Sequence, residues 1–198
     1  MATYAKTETL TGALLAPVDW VRGLALVVAF SLLTALAAQV AVPLPFTPVP
    51  VTLQTFAVLL TGALLGARLG ALAMIAYLLE GACGLPFFSL GRGGVLHLLF
   101  APTAGYLLAY PLAAYVTGWL AERGWDRKYP SAAAAMALGS LVILAGGWLR
   151  LLRFASPTAA FAQGVAPFLL GDVVKVALAA AVLPTGWALL RRNGARRD

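Results

Sequence analysis

The chain has 198 residues, 62% of them hydrophobic and 11% charged, with a formal net charge of +7. Soluble domains carry about 25% charged residues, so the apolar surplus must face lipid, and the composition predicts an all-α polytopic membrane protein rather than a soluble domain. The positive charge then reads as membrane topology and not as nucleic-acid binding, while one cysteine (Cys83) and one histidine (His97) exclude an internal disulfide and a zinc site, so that neither metal nor cofactor is expected.

Residues 1–20 carry Lys6, Glu8 and Asp19 ahead of the first long apolar run and lack the arrangement of a cleavable signal peptide. Apolar runs punctuated by Pro, Gly and charge predict six spans in one transmembrane domain over residues 1–198, at about 23–42, 51–65, 69–82, 103–121, 131–149 and 167–190. The first span carries small residues at helical spacing, Ala25 and Ala29, then Ser31 and Ala35, which serve either internal packing or docking of a membrane partner. Prolines 43, 45, 48 and 50 predict an extended first connection. The second and third spans are short. Either local thinning and protein shielding accommodate them, or one of them is re-entrant. Gly66 to Gly70 between them predicts a tight turn.

With both termini in the cytoplasm, Lys6, Arg22, Arg68, Arg123, Arg127, Lys128, Arg191, Arg192, Arg196 and Arg197 fall inside, ten residues, against three outside, Arg92, Arg150 and Arg153. That bias supports an even number of spans and puts the start of the sixth near the outer face. No internal repeat and no pair of matching broken helices suggests an inverted-repeat transporter.

The sixth span holds Asp172 and Lys175, one helical turn apart. A charge at membrane depth costs roughly 2.5–3.5 kcal/mol on insertion scales, so the pair needs a reason. It is either a structural ion pair packed against other helices or a pre-oriented ligand site. In a site, Lys175 takes an anion or carbonyl and Asp172 accepts N–H donors, near a helix N-terminus that also favours an anion. Arg92, among the glycines 91, 93 and 94, is either a lid contact over that site or a solvated loop residue; its planar fork suits a carboxylate. Glu80 is either a site group or an interfacial carboxylate. Thr52 and Gln54 either bond a ligand or satisfy freed backbone groups. Tyr106, after Pro102-Thr-Ala-Gly105, is either a site ring or an interfacial anchor. Trp148 and its neighbouring arginines read as an outer interfacial belt. The chain has no G-x-x-x-x-G-K-[ST], G-x-S-x-G or H-E-x-x-H, and no nucleophile or metal partner for Asp172, so no enzyme activity is expected.

Five segments in order, Pro43-Leu-Pro-Phe-Thr-Pro-Val-Pro-Val-Thr-Leu-Gln54, Leu60 to Gly66, Tyr77 through Gly84 to Phe88, Pro102-Thr-Ala-Gly-Tyr106 and Phe168-Leu-Leu-Gly-Asp-Val-Val-Lys175, resemble the BioY family of biotin-binding substrate-capture subunits of energy-coupling-factor transporters. Ala101 and Ala104 stand where the family pattern has glycine. The resemblance implies a compact six-helix S-subunit fold with a biotin site near the outer face of the cell membrane. It implies that Asp172, Lys175 and Arg92 bind biotin's polar groups, with Gln54, Tyr106 and Glu80 as further candidates. It also implies a transmembrane coupling subunit and a pair of cytoplasmic ATPases as partners, docked on the Ala25/Ala29 face. Capture of another small vitamin, or biotin facilitation without ATPases, are the alternatives within that fold. Biotin fits the residues: its carboxylate needs Arg or Lys, its ureido N–H groups need acceptors, and its two rings need apolar and aromatic walls.

Overall fold

A computed structural model describes residues 9–15 and 19–194; Lys6, Glu8, Arg196 and Arg197 lie outside the described residues, as do the side chains of Arg191 and Arg192. In chain order the elements are α1 (Leu10–Leu15), α2 (Trp20–Gln39), β1 (Ala41–Val42), β2 (Val51–Thr52), α3 (Gln54–Leu65), α4 (Ala67–Ala82), α5 (Val95–Phe100), α6 (Ala104–Ala121), α7 (Tyr129–Leu151), α8 (Pro157–Gly164) and α9 (Ala166–Gly194). Helices α2, α3, α4, α6, α7 and α9 overlap the six apolar runs in position. Among the described residues, three stretches, Trp20–Gln39, Tyr129–Leu151 and Pro157–Leu190, are long and apolar enough to cross a membrane by length and composition. By contrast α3, with 12 residues, reaches only about 18 Å at 1.5 Å per residue, against a hydrocarbon core of about 30 Å. It is shielded by protein instead, because it packs on α4 and α6. Leu24, Leu36, Leu112, Leu141, Leu170 and Val173 point outward, the large apolar surface that lipid covers.

Local chemistry sets the helix ends. The Asp19 carboxylate accepts the Arg22 amide at 2.8 Å and caps α2. Prolines 130 and 157 open α7 and α8, where a missing N–H costs nothing. The turn expected over Gly66 to Gly70 is a single residue. Gly66 takes φ +86°, and the Glu122 carboxylate accepts the Ala67 amide at 2.9 Å, so α4 restarts at once. The Pro-rich connection is not merely extended. Ala41 pairs with Thr52 and Val42 with Val51 in an antiparallel ladder, which makes residues 43–50 a closed loop.

α6 is the centre of the bundle, packed on α3, α4 and α7. Glycine lets the backbones touch. A Cβ built on Gly62 of α3 would stand 2.3 Å from the Ala114 carbonyl oxygen, and one on Gly105 of α6 would stand 2.2 Å from the Gly146 carbonyl oxygen of α7. Two buried hydroxyls bond within their own helices, Thr34 to the Phe30 carbonyl at 2.9 Å and Thr61 to the Ala57 carbonyl at 2.7 Å, so these two cost little in an apolar core. The small residues of α2 divide in two. Ser31 and Ala35 are buried against the bundle, whereas Ala25 and Ala29 are exposed. At the opposite end of α9 from its charged pair, the Trp187 indole donates to the buried Asp126 carboxylate at 2.6 Å, tying the α6–α7 turn to α9.

The helix contacts make a stability prediction. Gly62→Ala must push backbone against backbone and is expected to lower stability by about 1–3 kcal/mol. Gly171→Ala on α9, whose added Cβ meets nothing within 4 Å, is expected to be neutral or slightly stabilising. Melting temperatures in detergent distinguish the two; equal loss in both variants contradicts the close-approach reading.

Candidate substrate-binding site

The N-terminal ends of α3, α6 and α9 and the C-terminal half of α7 surround one cavity, at the end of the bundle that carries Arg92, Arg150 and Arg153. Its wall includes Thr52 at the end of β2, Gln54 and Thr55 from the start of α3, Thr103 just before α6, Tyr106, Leu107 and Tyr110 from α6, Ile143 and Leu144 from α7, and Phe168, Asp172 and Lys175 from α9. Val49 and Pro50 of the hairpin loop and Ser89 of the α4–α5 connection complete it. The atom-free space is about 490 Å³ with the mouth counted, but a water molecule's centre can reach only about 40 Å³ of it. Ligand pockets hold about 300–1,000 Å³, so the walls stand close, and a ring-sized ligand must move side chains apart on entry.

Helical periodicity explains the α9 contribution. Phe168, Asp172 and Lys175 lie at i, i+4 and i+7 and share one face. The Lys175 ammonium stands 3.6 Å from Asp172 Oδ1, an ion-pair distance too long for a hydrogen bond. Each charge is instead held by a hydroxyl from another helix. Ser140 of α7 donates to Asp172 Oδ2, and Lys175 donates to Thr55 Oγ1 of α3 at 2.8 Å. Both side chains are nearly buried, at 10% and 12% exposure. Asp172 Oδ1 therefore keeps its accepting capacity and the ammonium keeps further N–H groups, both on the cavity wall. Tyr106 and Phe168 form an aromatic corner with ring centroids 6.1 Å apart.

The connections close this end of the bundle. The Tyr106 hydroxyl donates to the Gly164 carbonyl at 2.6 Å, and the Thr47 hydroxyl to the Gln163 carbonyl at 2.7 Å. The end of α8 is thus fastened to α6 and to the hairpin loop. His97 of α5 stacks on Phe88 with centroids 5.7 Å apart and bonds the Thr103 hydroxyl at 3.2 Å. Burial first, and then the positive charge of Arg92, pull its imidazole below the ordinary histidine range.

Of the residues singled out from sequence, the structure brings Asp172, Lys175, Gln54 and Tyr106 together in this wall. Two stand elsewhere. Glu80 is not in the wall: it sits on the α4 face that packs on α2, where its Oε1 accepts the Ser31 hydroxyl at 3.0 Å. Its Oε2 is buried with no hydrogen-bond partner among the described residues. Arg92 is exposed and outside the wall; its backbone carbonyl accepts the Phe88 amide at 2.8 Å, while Ser89, three residues earlier, lines the cavity. Sequence reasoning passed over Thr55, Ser89, Thr103, Tyr110 and Phe168. For Tyr110 and Phe168 a signal existed, since each lies four residues from a chosen site residue on the same helix. Ser89 and Thr103 lie in connections, where no periodicity marks them.

Comparison with known proteins places this geometry. A solved S-component for biotin from an ECF-type ABC transporter superposes with a TM-score of 0.76 over 86% of this chain and 93% of that one, at 21% identity, which shows a shared fold. The probable biotin transporter BioY of Pyrococcus horikoshii is 41% identical over 158 residues, covering 80% of this chain and 91% of its own length. The biotin transporter BioY of Rhizobium etli is 40% identical over 169 residues, covering 80% and 89%, and that of Thermotoga maritima 36% identical over 153 residues, covering 77% and 88%. With the BioY family model matched from residue 6 to residue 192, and with relatives aligned along most of both lengths, the chain belongs to the BioY family.

Proposed function

We propose that this chain is the biotin-capturing subunit of a vitamin uptake transporter in the cell membrane. The observation that carries the reading is the Asp172–Lys175 pair. Two charges kept at membrane depth face a cavity while each retains unused hydrogen-bonding capacity. A purely structural pair is expected to consume that capacity in neighbouring helices.

The ureido ring of biotin has a carbonyl between two N–H groups. Lys175 meets the carbonyl, Asp172 Oδ1 accepts an N–H, and Tyr106, Tyr110 and Phe168 wall the two rings. Asp172 and Lys175 neutralise each other, so the valerate carboxylate needs another cation. Arg92 is suited to it, because it stands exposed three residues after Ser89 of the wall, in a turn where Gly91 and Gly94 take φ +68° and +94° and Leu90 takes φ +63°, a conformation strained for a side chain. Closure of this segment over the mouth brings a fork-shaped donor to the carboxylate. The exposed Ala25/Ala29 stripe on α2 is the face on which a transmembrane coupling subunit docks, with a pair of cytoplasmic ATPases supplying the energy for accumulation.

Calorimetry with purified protein in detergent tests this. One biotin is expected to bind per chain. Asp172→Asn and Lys175→Gln are each expected to weaken binding about 10–100-fold, the worth of a charge-assisted hydrogen bond. Arg92→Ala is expected to weaken biotin and to leave biotinamide, which lacks the carboxylate charge, unchanged. Unaltered affinity in both the Asp172 and Lys175 variants makes the pair structural, and preferential binding of another vitamin assigns the cavity to that compound.

A further inference from the structure

Tyr77 lies outside the cavity wall, fully buried on α4, yet its hydroxyl touches a residue of that wall. That hydroxyl has one proton and donates it to the Phe87 carbonyl at 3.0 Å. A carbonyl only accepts, so the direction of this bond is fixed. What remains on the tyrosine oxygen is lone pairs, and Gln54 must therefore turn its amide nitrogen toward them; Gln54 Nε2 donates there. The two ends of an amide have nearly the same shape, so packing does not choose between them. The Phe87–Tyr77 relay does. It leaves Gln54 Oε1 on the side of Thr52, whose hydroxyl stands at 3.4 Å, the weak end of the hydrogen-bond range. Both Gln54 and Thr52 line the cavity.

We infer that Tyr77 is a positioning residue that, anchored on the Phe87 carbonyl, holds Gln54 with its carbonyl oxygen toward the ligand and so makes the α3 side of the cavity selective for an N–H donor. The inference rests on the biotin reading, because a ureido ring brings two N–H groups: Asp172 accepts one and Gln54 the other. The spacing on α3 fits this. Thr55, next to Gln54, holds Lys175 at 2.8 Å, so the second acceptor stands one residue from the partner of the cation that meets the ureido carbonyl.

The test compares two ligands, biotin and its cyclic carbonate analogue, in which oxygen replaces both ureido N–H groups. Calorimetry gives the affinity ratio for the unaltered protein, Tyr77→Phe, Gln54→Leu and the double variant. Tyr77→Phe keeps the ring and its edge contact with Phe88 and removes the relay. The ratio is expected to fall about tenfold in Tyr77→Phe and in Gln54→Leu, and no further in the double variant than in Gln54→Leu alone. A loss of packing alone weakens both ligands equally and leaves the ratio unchanged. An unchanged ratio in either single variant, or an additional fall in the double variant, overturns the inference while leaving the functional reading in place. Failure of the unaltered protein to bind biotin overturns both.

Discussion

The structure depends on how an opposite-charge couple is kept inside an apolar bundle. Removing one member of a buried pair typically costs about 3–5 kcal/mol, because the other is left uncompensated, and the pair as a whole adds little stability over apolar packing. The bundle manages the charges with hydroxyls. Ser140 on α7 holds the carboxylate and Thr55 on α3 holds the ammonium. The couple thereby fastens α9 to both α7 and α3. The 3.6 Å separation between the charges keeps both of them short of a mutual hydrogen bond, so each still has something to offer a ligand.

The rest of the architecture serves to bring such groups to one end of the bundle. α6 presents Tyr106 and Tyr110 to the cavity while its glycine contacts draw α3 and α7 against it. Tyr106 shows how tightly the two tasks are joined. Its ring fills the space that a side chain on Gly147 would need, its edge lines the cavity, and its hydroxyl secures the end of α8. A ligand that pushes Tyr106 aside must also disturb its hydroxyl's bond to Gly164 at the end of α8.

The long helices were legible in the sequence because lipid imposes continuous apolar runs, and such runs survive even where a helix is as short as α3. The hairpin, α5 and α8 were not, since short amphipathic or Pro-rich connections carry no comparable periodic signal. Within the site, Asp172 and Lys175 stood out through the cost of charge in an apolar span. Glu80 was misplaced for a related reason: sequence shows that a carboxylate lies at the end of α4, but not that the helix turns it toward Ser31 of α2. Arg92 was expected over the site and stands exposed outside its wall, because a connection has no periodicity to say which side chain turns inward, and here it is Ser89 that does. The role of Tyr77 was invisible at the level of sequence, since it depends on which way a single hydroxyl proton points.

The central claim is that the charged couple on α9 exists to grip a ligand from the cavity it faces. The most direct measurement is an experimental structure of the protein in a lipid nanodisc with biotin added. The expected result is ureido density within hydrogen-bonding distance of Asp172 and Lys175, with the aromatic side chains of α6 and α9 displaced around the rings. Biotin found elsewhere, with Asp172 still held by Ser140 and Lys175 by Thr55 around an unfilled crevice, contradicts it.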